Sequence, residues 1–432
     1  MQTNASSFCL VDGSTSSRKA RIPMPLPLLA LMLGVFCVGT AEVVIAGILP
    51  EMSADLDVSI PTVGLLVTGY ALGVTIGGPI ITLLTTKWAR KALLLGLMGI
   101  FIAGNLIAAL APNYATLMGA RVFTSLSHGT FAAVAWHVAA LMSPPDKQAT
   151  AMAKIALGFN FANVLGSPIG TFIGQQFGWR ATFVFIIAFA LVCVLLIQRF
   201  VPSGLSTEDE ESAEASGSVR QQLKVFRKGS LQLSMLITVL AQGAVFTTST
   251  YLAPLLRDVG GFSAPMVGVL LIVFGVGSVL GNILGGKAAD KNVMRGVLGA
   301  QAALLGALLL FWGASPYTVP AIIALFVFGA AGFSIIPALQ ARILAVASAA
   351  PALALSANVS AFNLGNGLGA WLGGTTIDLG LGVRAVTLTA ALATTVALAL
   401  SLLMWARARR DAPELPALDA STADVALSRQ AS

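Results

Sequence analysis

Three residues whose chemistry could move a proton lie inside long apolar runs: Glu42, Arg121 and His128. An ionisable side chain in lipid costs about 2.5–3.5 kcal/mol on insertion scales unless it faces a cavity or a partner, so each is a functional candidate by position. Glu42 is the acid set well inside such a run, in GTAEVVIAGILPEM. It stands seven residues before Leu49, or about 10 Å from the end of the run at 1.5 Å per residue. Arg121 stands the same distance from Tyr114, at the start of another run, so antiparallel neighbours would bring the two to one depth. His128 follows Arg121 by two turns on the same helix face. Burial and a nearby cation push a carboxyl group's proton affinity in opposite directions. A proton-carrying Glu42 tuned by a fixed Arg121 is therefore favoured over a static ion pair. His128 either hydrogen-bonds between helices or lines a cavity. His137, on the opposite face, and Lys154, which can snorkel to the headgroups, read as bystanders.

The elements that must position these residues follow from composition. Of 432 residues, 56% are hydrophobic and 10% charged, against about 25% charged in a soluble domain. Apolar runs long enough to cross a bilayer recur about twelve times, near 25–49, 60–84, 92–111, 115–142, 149–175, 181–200, 230–256, 264–286, 295–314, 318–340, 351–377 and 384–406. An all-α membrane protein of twelve transmembrane helices is expected, with helices packed in lipid. The net charge of +7 reflects where the basic residues lie and gives no reason to expect nucleic acid.

Those basic residues alternate from loop to loop. Arg18, Lys19 and Arg21 precede the first run. Arg90 and Lys91, with Lys87, separate the second and third. Arg220, Lys224, Arg227 and Lys228 separate the sixth and seventh, and Arg407, Arg409 and Arg410 follow the last. The intervening loops carry Arg180, Arg257 and Arg384. The positive-inside rule then places both termini in the cytoplasm, which suits an even number of crossings and a bacterial inner membrane. The expected organisation is a tail over 1–24, a six-helix bundle over 25–200, a cytoplasmic linker over 201–229, a second bundle over 230–406 and a tail over 407–432. No cleavable leader is expected, and Cys9, Cys37 and Cys193 show no spacing for a disulfide or a metal.

The second bundle repeats the first. Pro50 recurs as Pro254, 204 residues on, and the same offset links Pro61 to Pro265, Gly73 to Gly277, Gly77 to Gly281, Pro112 to Pro316 and Arg180 to Arg384. Six crossings per half is even, so the halves are parallel repeats about an axis along the membrane normal. That is the plan of an alternating-access transporter with its solute between the halves. Within it, GFNFANVLGSPIGTFIG sets Gly158, Gly166, Gly170 and Gly174 near one helix face, where a neighbouring backbone can come close. Pro168 predicts a bend or hinge there. The stripe serves either ordinary span packing or a moving seam.

These residues carry a family resemblance. GTAEVVIAGILPEMSADL, ARVFTSLSHG, NVLGSPIGTFIGQQFGWRATF, GGKAADK and SAFNLGNGLGAWLGG together resemble the major facilitator superfamily, in the twelve-span drug:proton antiporters of the arabinose-efflux-permease type. The resemblance implies two parallel six-helix repeats and efflux coupled to inward proton flow, with a gate and hinge at Gly158, Gly166, Pro168, Gly170 and Gly174. It also implies a cytoplasmic gate motif, kept in the second half as Gly286, Asp290 and Lys291. In the first half, TLLTTKWARK puts Thr82 and Thr86 where Gly and Asp are usual, leaving Lys87, Arg90 and Lys91 to carry that gate. Thr124 and Ser125 depart from the usual Gln and Gly, and Trp136 and Asn160 are also atypical.

The offset maps Glu42, Arg121 and His128 onto Phe246, Leu325 and Gly332, so proton chemistry would belong to the first half. Gln242, Thr247, Thr248, Tyr251 and Asn363 would supply polar contacts to a solute on an otherwise apolar wall. A membrane enzyme would need a nucleophile, a metal cluster or paired carboxylates, and a sensor would need an appended domain. Neither pattern is present. The expected partners are a small organic solute such as a drug, a sugar or a nucleoside, protons and the bilayer. No cofactor is implied, and a monomer is expected. The runner-up is a proton-coupled uptake carrier or facilitator of a sugar-like solute.

Overall fold

The computed structural model describes residues 26–85, 88–144, 147–203, 227–347 and 351–410. Lys87, the tail 1–24 and most of the linker 201–229 and of the tail 407–432 lie outside the described residues. The described chain is helical, with no strand. The first half contains α1 (Leu26–Val43), α2 (Ile45–Leu56), α3 (Ile60–Leu84), α4 (Arg90–Ala109), α5 (Tyr114–Leu141), α6 (Gln148–Phe161), α7 (Ser167–Phe177) and α8 (Trp179–Phe200). The second contains α9 (Gly229–Ser249), α10 (Ala264–Lys291), α11 (Val293–Ala314), α12 (Thr318–Val346), α13 (Pro351–Thr376) and α14 (Ala385–Arg410). Spans one and five are each built from two helices, α1 with α2 and α6 with α7, which gives twelve crossings in two six-span repeats. Among the described residues, nine helices are by themselves long and apolar enough to cross a bilayer.

Local chemistry starts and stops these helices. The Ser59 hydroxyl accepts the Thr62 N–H ahead of α3, Asn113 Oδ1 accepts the Thr116 N–H ahead of α5, and Asn292 Oδ1 accepts the Arg295 N–H ahead of α11. Each satisfies a donor that a helix start leaves free. Gly178 and Gly382, related by the offset of 204, turn the chain with φ of +85° and +79°, a region that side chains avoid.

Two irregular segments flank the polar core. Span one breaks at Val44, where the Gly47 N–H reaches the Val44 carbonyl three residues back. Span five widens into a π-helical turn over Ala162–Gly166, and the Ser167 N–H reaches the Ala162 carbonyl five residues back. Pro168, which has no N–H to give, follows at once. The expected bend thus takes the form of a wide turn just ahead of the proline.

Each half has its own apolar core, one around Val35, Phe101, Phe131 and Ile186 and the other around Leu256, Phe311 and Phe328. A third cluster crosses between them, joining Ile48, Leu49 and Trp179 of the first half to Tyr251, Ala370 and Val386 of the second. It lies at the end that the charge asymmetry assigns to the outside. The two remaining clusters belong to the second half alone. The longest seam between halves runs between α3 and α13, and α10 packs across onto span five. Leu195, Ile323 and Leu392 are among the apolar side chains left exposed around the belt, as lipid contact requires.

Candidate functional site

Glu42 sits on the last turn of α1, just ahead of the break at Val44, and its carboxylate meets both halves. Asn366 Nδ2 of α13 donates to Glu42 Oε1 at 2.8 Å. His128 Nε2 of α5 stands 3.8 Å from Glu42 Oε2. His128 Nδ1 pairs with the Tyr70 hydroxyl of α3 at 3.0 Å, and its ring stacks on Phe159 with centroids 5.8 Å apart. A ring held on both sides in this way keeps its second nitrogen aimed at the carboxylate.

Arg121 takes another position in the same core. Its Nη1 donates to the Ala41 carbonyl at 2.8 Å, and its guanidinium lies 4.1 Å from the centre of the Tyr70 ring. Nε and Nη2 are buried with no hydrogen-bond partner among the described residues. Arg121 therefore braces the backbone beside Glu42 and makes no direct ion pair with it. A chain of polar side chains runs from Tyr70 through His128 and Glu42 to Asn366.

A cavity of about 40 Å³ opens beside Glu42, lined among others by Asn163 and Ser167 of span five and Phe246, Thr250 and Leu271 of the second half. It has room for water and none for an organic solute. Phe246, the repeat counterpart of Glu42, lines the same cavity.

The expected solute-binding residues Gln242, Thr247, Thr248, Tyr251 and Asn363 are not among the side chains that line this cavity. The Thr247 hydroxyl donates to the Gly243 carbonyl within α9, and the Tyr251 hydroxyl to the Ala370 carbonyl of α13. Both are engaged in packing. Thr248 and Gln242 are buried on α9, and Asn363 lies on α13 one turn from Asn366. The cavity face of the seventh span is Phe246, Ser249 and Thr250 instead. Asn366 and Tyr70 escaped the sequence reading. Asn366 stands in SAFNLGNGLGAWLGG one turn past Asn363, and Tyr70 carries no signal beyond being a polar tip in an apolar run.

All four glycines of span five face span one. A Cβ at Gly158 would meet the backbone of Met32 and Phe36. At Gly166 it would meet the Thr40 side chain, at Gly170 Val44 and at Gly174 Ile48. The stripe therefore seats the helix that bears Glu42 within its own half. The opposite side of span five makes the seam between halves, where Asn163 and Val164 pack on Gly275 of α10.

The end that the loop charges assign to the outside carries two charge clusters. Arg257 Nη1 reaches Glu51 Oε1 at 2.9 Å across the halves. Within the first half, Asp55 accepts from Arg180 and from Trp179 Nε1, while Arg180 Nη2 donates to the Ala111 carbonyl at 2.8 Å. The Arg180 guanidinium, helped by the Trp179 indole, holds the Asp55 carboxyl below the usual carboxylate range. Arg384, the repeat counterpart of Arg180, donates to the Trp312 carbonyl at 2.9 Å in the same manner. At the other end, Lys91 Nζ caps the Gln198 carbonyl at 2.7 Å, and Arg90 begins α4. Gly286 lies on α10, while Asp290 and Lys291 are exposed at its end, and Asp290 makes no ion pair with another described residue.

Two six-span bundles meeting at a polar core beneath an apolar seal define a membrane transport protein. The chain belongs to the Major Facilitator Superfamily, which it matches over residues 31–352. It is 39% identical over 384 residues to "Inner membrane transport protein YdhP" of Escherichia coli (strain K12), covering 89% of this chain and 96% of that one. It is 33% identical over 358 residues to "Chloramphenicol resistance protein" of Streptomyces lividans, covering 82% and 90%. The crystal structure of a D-xylose-proton symporter shares the fold, with a TM-score of 0.69 at 16% identity over 88% of this chain and 97% of that one. The protein is a multi-pass membrane transporter and not an enzyme.

Proposed function

We propose that this transporter exports a small organic solute across the inner membrane in exchange for protons, with Glu42 as the proton carrier and both termini in the cytoplasm. The observation that carries this reading is the hydrogen bond from Asn366 to Glu42, because it crosses the halves. When the bundles over 25–200 and 230–406 rock apart, Glu42 loses that donor and gains water. The change in partner and in wetting ties its protonation to the conformation. Solute and proton binding are then linked reciprocally. His128 and Tyr70 hold the carboxylate from the first half, and Arg121 fixes the backbone beneath it. The resistance protein among the relatives supports the outward direction. Lys87, Arg90 and Lys91 together with Gly286, Asp290 and Lys291 form the cytoplasmic gate, whose charge contacts are made when that side closes.

The test is transport in proteoliposomes against a compound panel, with and without an imposed pH gradient. Solute movement against its own gradient, driven by inward protons and lost with Glu42→Gln, is the expected result. Gradient-driven accumulation in the proton's own direction would make the protein a symporter and overturn the proposal.

A further inference from the structure

Three asparagines on spans five and eleven give their amide nitrogens to the protein and keep their oxygens. Asn163, at the cavity, donates Nδ2 to the Phe159 carbonyl at 3.0 Å. Asn363 donates Nδ2 to the Val359 carbonyl at 3.0 Å, and its Oδ1 is buried without a hydrogen-bond partner among the described residues. Asn366 donates Nδ2 to Glu42, and its Oδ1 is left in the same condition. A carbonyl can only accept, so the nitrogens of Asn163 and Asn363 must face it and their oxygens are what remains. Asn363 and Asn366 stand one turn apart on α13. Gln242, on the helix packed against α13, adds a fourth amide oxygen, buried and unpartnered.

The charged group at this cavity is Glu42, an acceptor when ionised. Among the described residues, none of the cavity-lining side chains is a Lys or an Arg. Arg121 gives Nη1 to the Ala41 carbonyl and lies over the Tyr70 ring, with Nε and Nη2 buried and without a hydrogen-bond partner among the described residues. The hydroxyls of Ser249 and Thr250 can serve either a donor or an acceptor. Buried acceptors left unpaired cost about 1–3 kcal/mol each, so a ligand that pairs them recovers binding energy that one without donors cannot.

We propose that the transported solute presents several O–H or N–H donors to Asn163, Asn363 and Asn366, as a polyol or a primary amine does. A carboxylate or phosphate ester without O–H or N–H groups would leave the amide oxygens unpaired. A quaternary onium ion would satisfy the charge of Glu42 and leave the amide oxygens empty. The inference rests on the reading that solute binds at this seam. It does not depend on the direction of transport or on the proton.

Direct binding to the purified full-length protein in lipid nanodiscs, with no gradient, tests it. Four probes separate the chemistries: sorbitol for donors without charge, tryptamine for donors with charge, tetraphenylphosphonium for charge without donors, and benzoate for an anion without donors. Binding of sorbitol, tryptamine or both is expected, and which of them binds distinguishes the polyol from the amine. Asn363→Leu should weaken that binding by about 3- to 10-fold, the worth of one hydrogen bond. Asn363→Thr should restore it, because a Thr hydroxyl can donate to the Val359 carbonyl and still offer a lone pair. Rescue by Thr separates recognition from general damage to the fold. Failure of both donor-bearing probes overturns the proposal. So does benzoate binding more tightly than either, or tetraphenylphosphonium matching tryptamine while Asn363→Leu changes nothing. An Asn363 effect without proton release on binding would sink the antiport reading and leave this one standing.

Discussion

Asn366 Nδ2 lies 2.8 Å from Glu42 Oε1, although 324 residues separate the two in the chain. The bond belongs to neither half alone. It can persist only while spans one and eleven stay together at that depth.

Glu42→Gln should bind solute with no dependence on pH and fail at gradient-driven export. A Gln can still accept from Asn366, so the halves should close as before. His128→Gln should retain transport with a displaced pH profile, since the imidazole positions the carboxylate without being its partner across the halves. Solute binding and proton release measured across pH for both variants decide this. Proton release by Glu42→Gln would move the coupling site to His128.

Gly166→Leu should abolish transport while the protein still inserts. Its side chain would enter the place of Thr40, two residues before Glu42, and overpacking of this kind costs about 1–3 kcal/mol. Gly99→Leu is the control, because nothing stands within 4 Å of a Cβ there. Solute flux normalised to protein in the membrane is the measurement. Equal flux in the two variants would reduce the stripe to filler.

Glu51→Gln or Arg257→Gln should loosen the contact between the halves at the end that the loop charges assign to the outside. The pair is partly exposed, so its loss is worth about 0.2–1 kcal/mol, up to about fivefold in the ratio of closed to open forms. Spin labels at Asp57 and Gly261, on the two outer rims, should report a larger share of long distances. The exchanged pair, Glu51→Arg with Arg257→Glu, should bring the short distances back.

Asp55 gives an acid-side signature. Its carboxyl is held below the ordinary range in the folded protein, mainly by Arg180. The contribution is therefore fully present above the unfolded value of about pH 4 and is lost as pH falls through the lower folded value. Thermal unfolding of Asp55→Asn should show a flatter fall below about pH 4 than the parent protein. Parallel curves would mean that the exposed pair contributes nothing measurable.

Much of this architecture could be read directly from the residues. The apolar runs, the loop charges and the offset between Pro50 and Pro254 specify twelve spans in two halves, because lipid leaves so few backbone arrangements open. Depth was also legible, since the rise per residue puts Glu42 and Arg121 at one level. Azimuth was not. Whether Arg121 points at the Glu42 carboxylate or at the Ala41 carbonyl is decided by helix rotation and by the Tyr70 ring, neither of which leaves a pattern in the chain. The same limit hides the role of Asn366, which stands one turn from Asn363 in the same motif. It also explains why the glycine stripe read equally well as packing or as a moving seam. Only the three-dimensional placement shows the stripe facing span one, inside its own half.

The cavity beside Glu42 has a further consequence, one of hydration. At about 40 Å³ it holds little more than water, whereas pockets for organic ligands run to roughly 300–1,000 Å³. Passing to a form able to hold solute must therefore draw in on the order of ten waters or more, at about 30 Å³ each. Osmotic stress from an excluded sugar polymer opposes that uptake. The carrier should slow as external water activity falls, even at constant solute and proton gradients, and the slope of that slowing counts the waters that each opening admits.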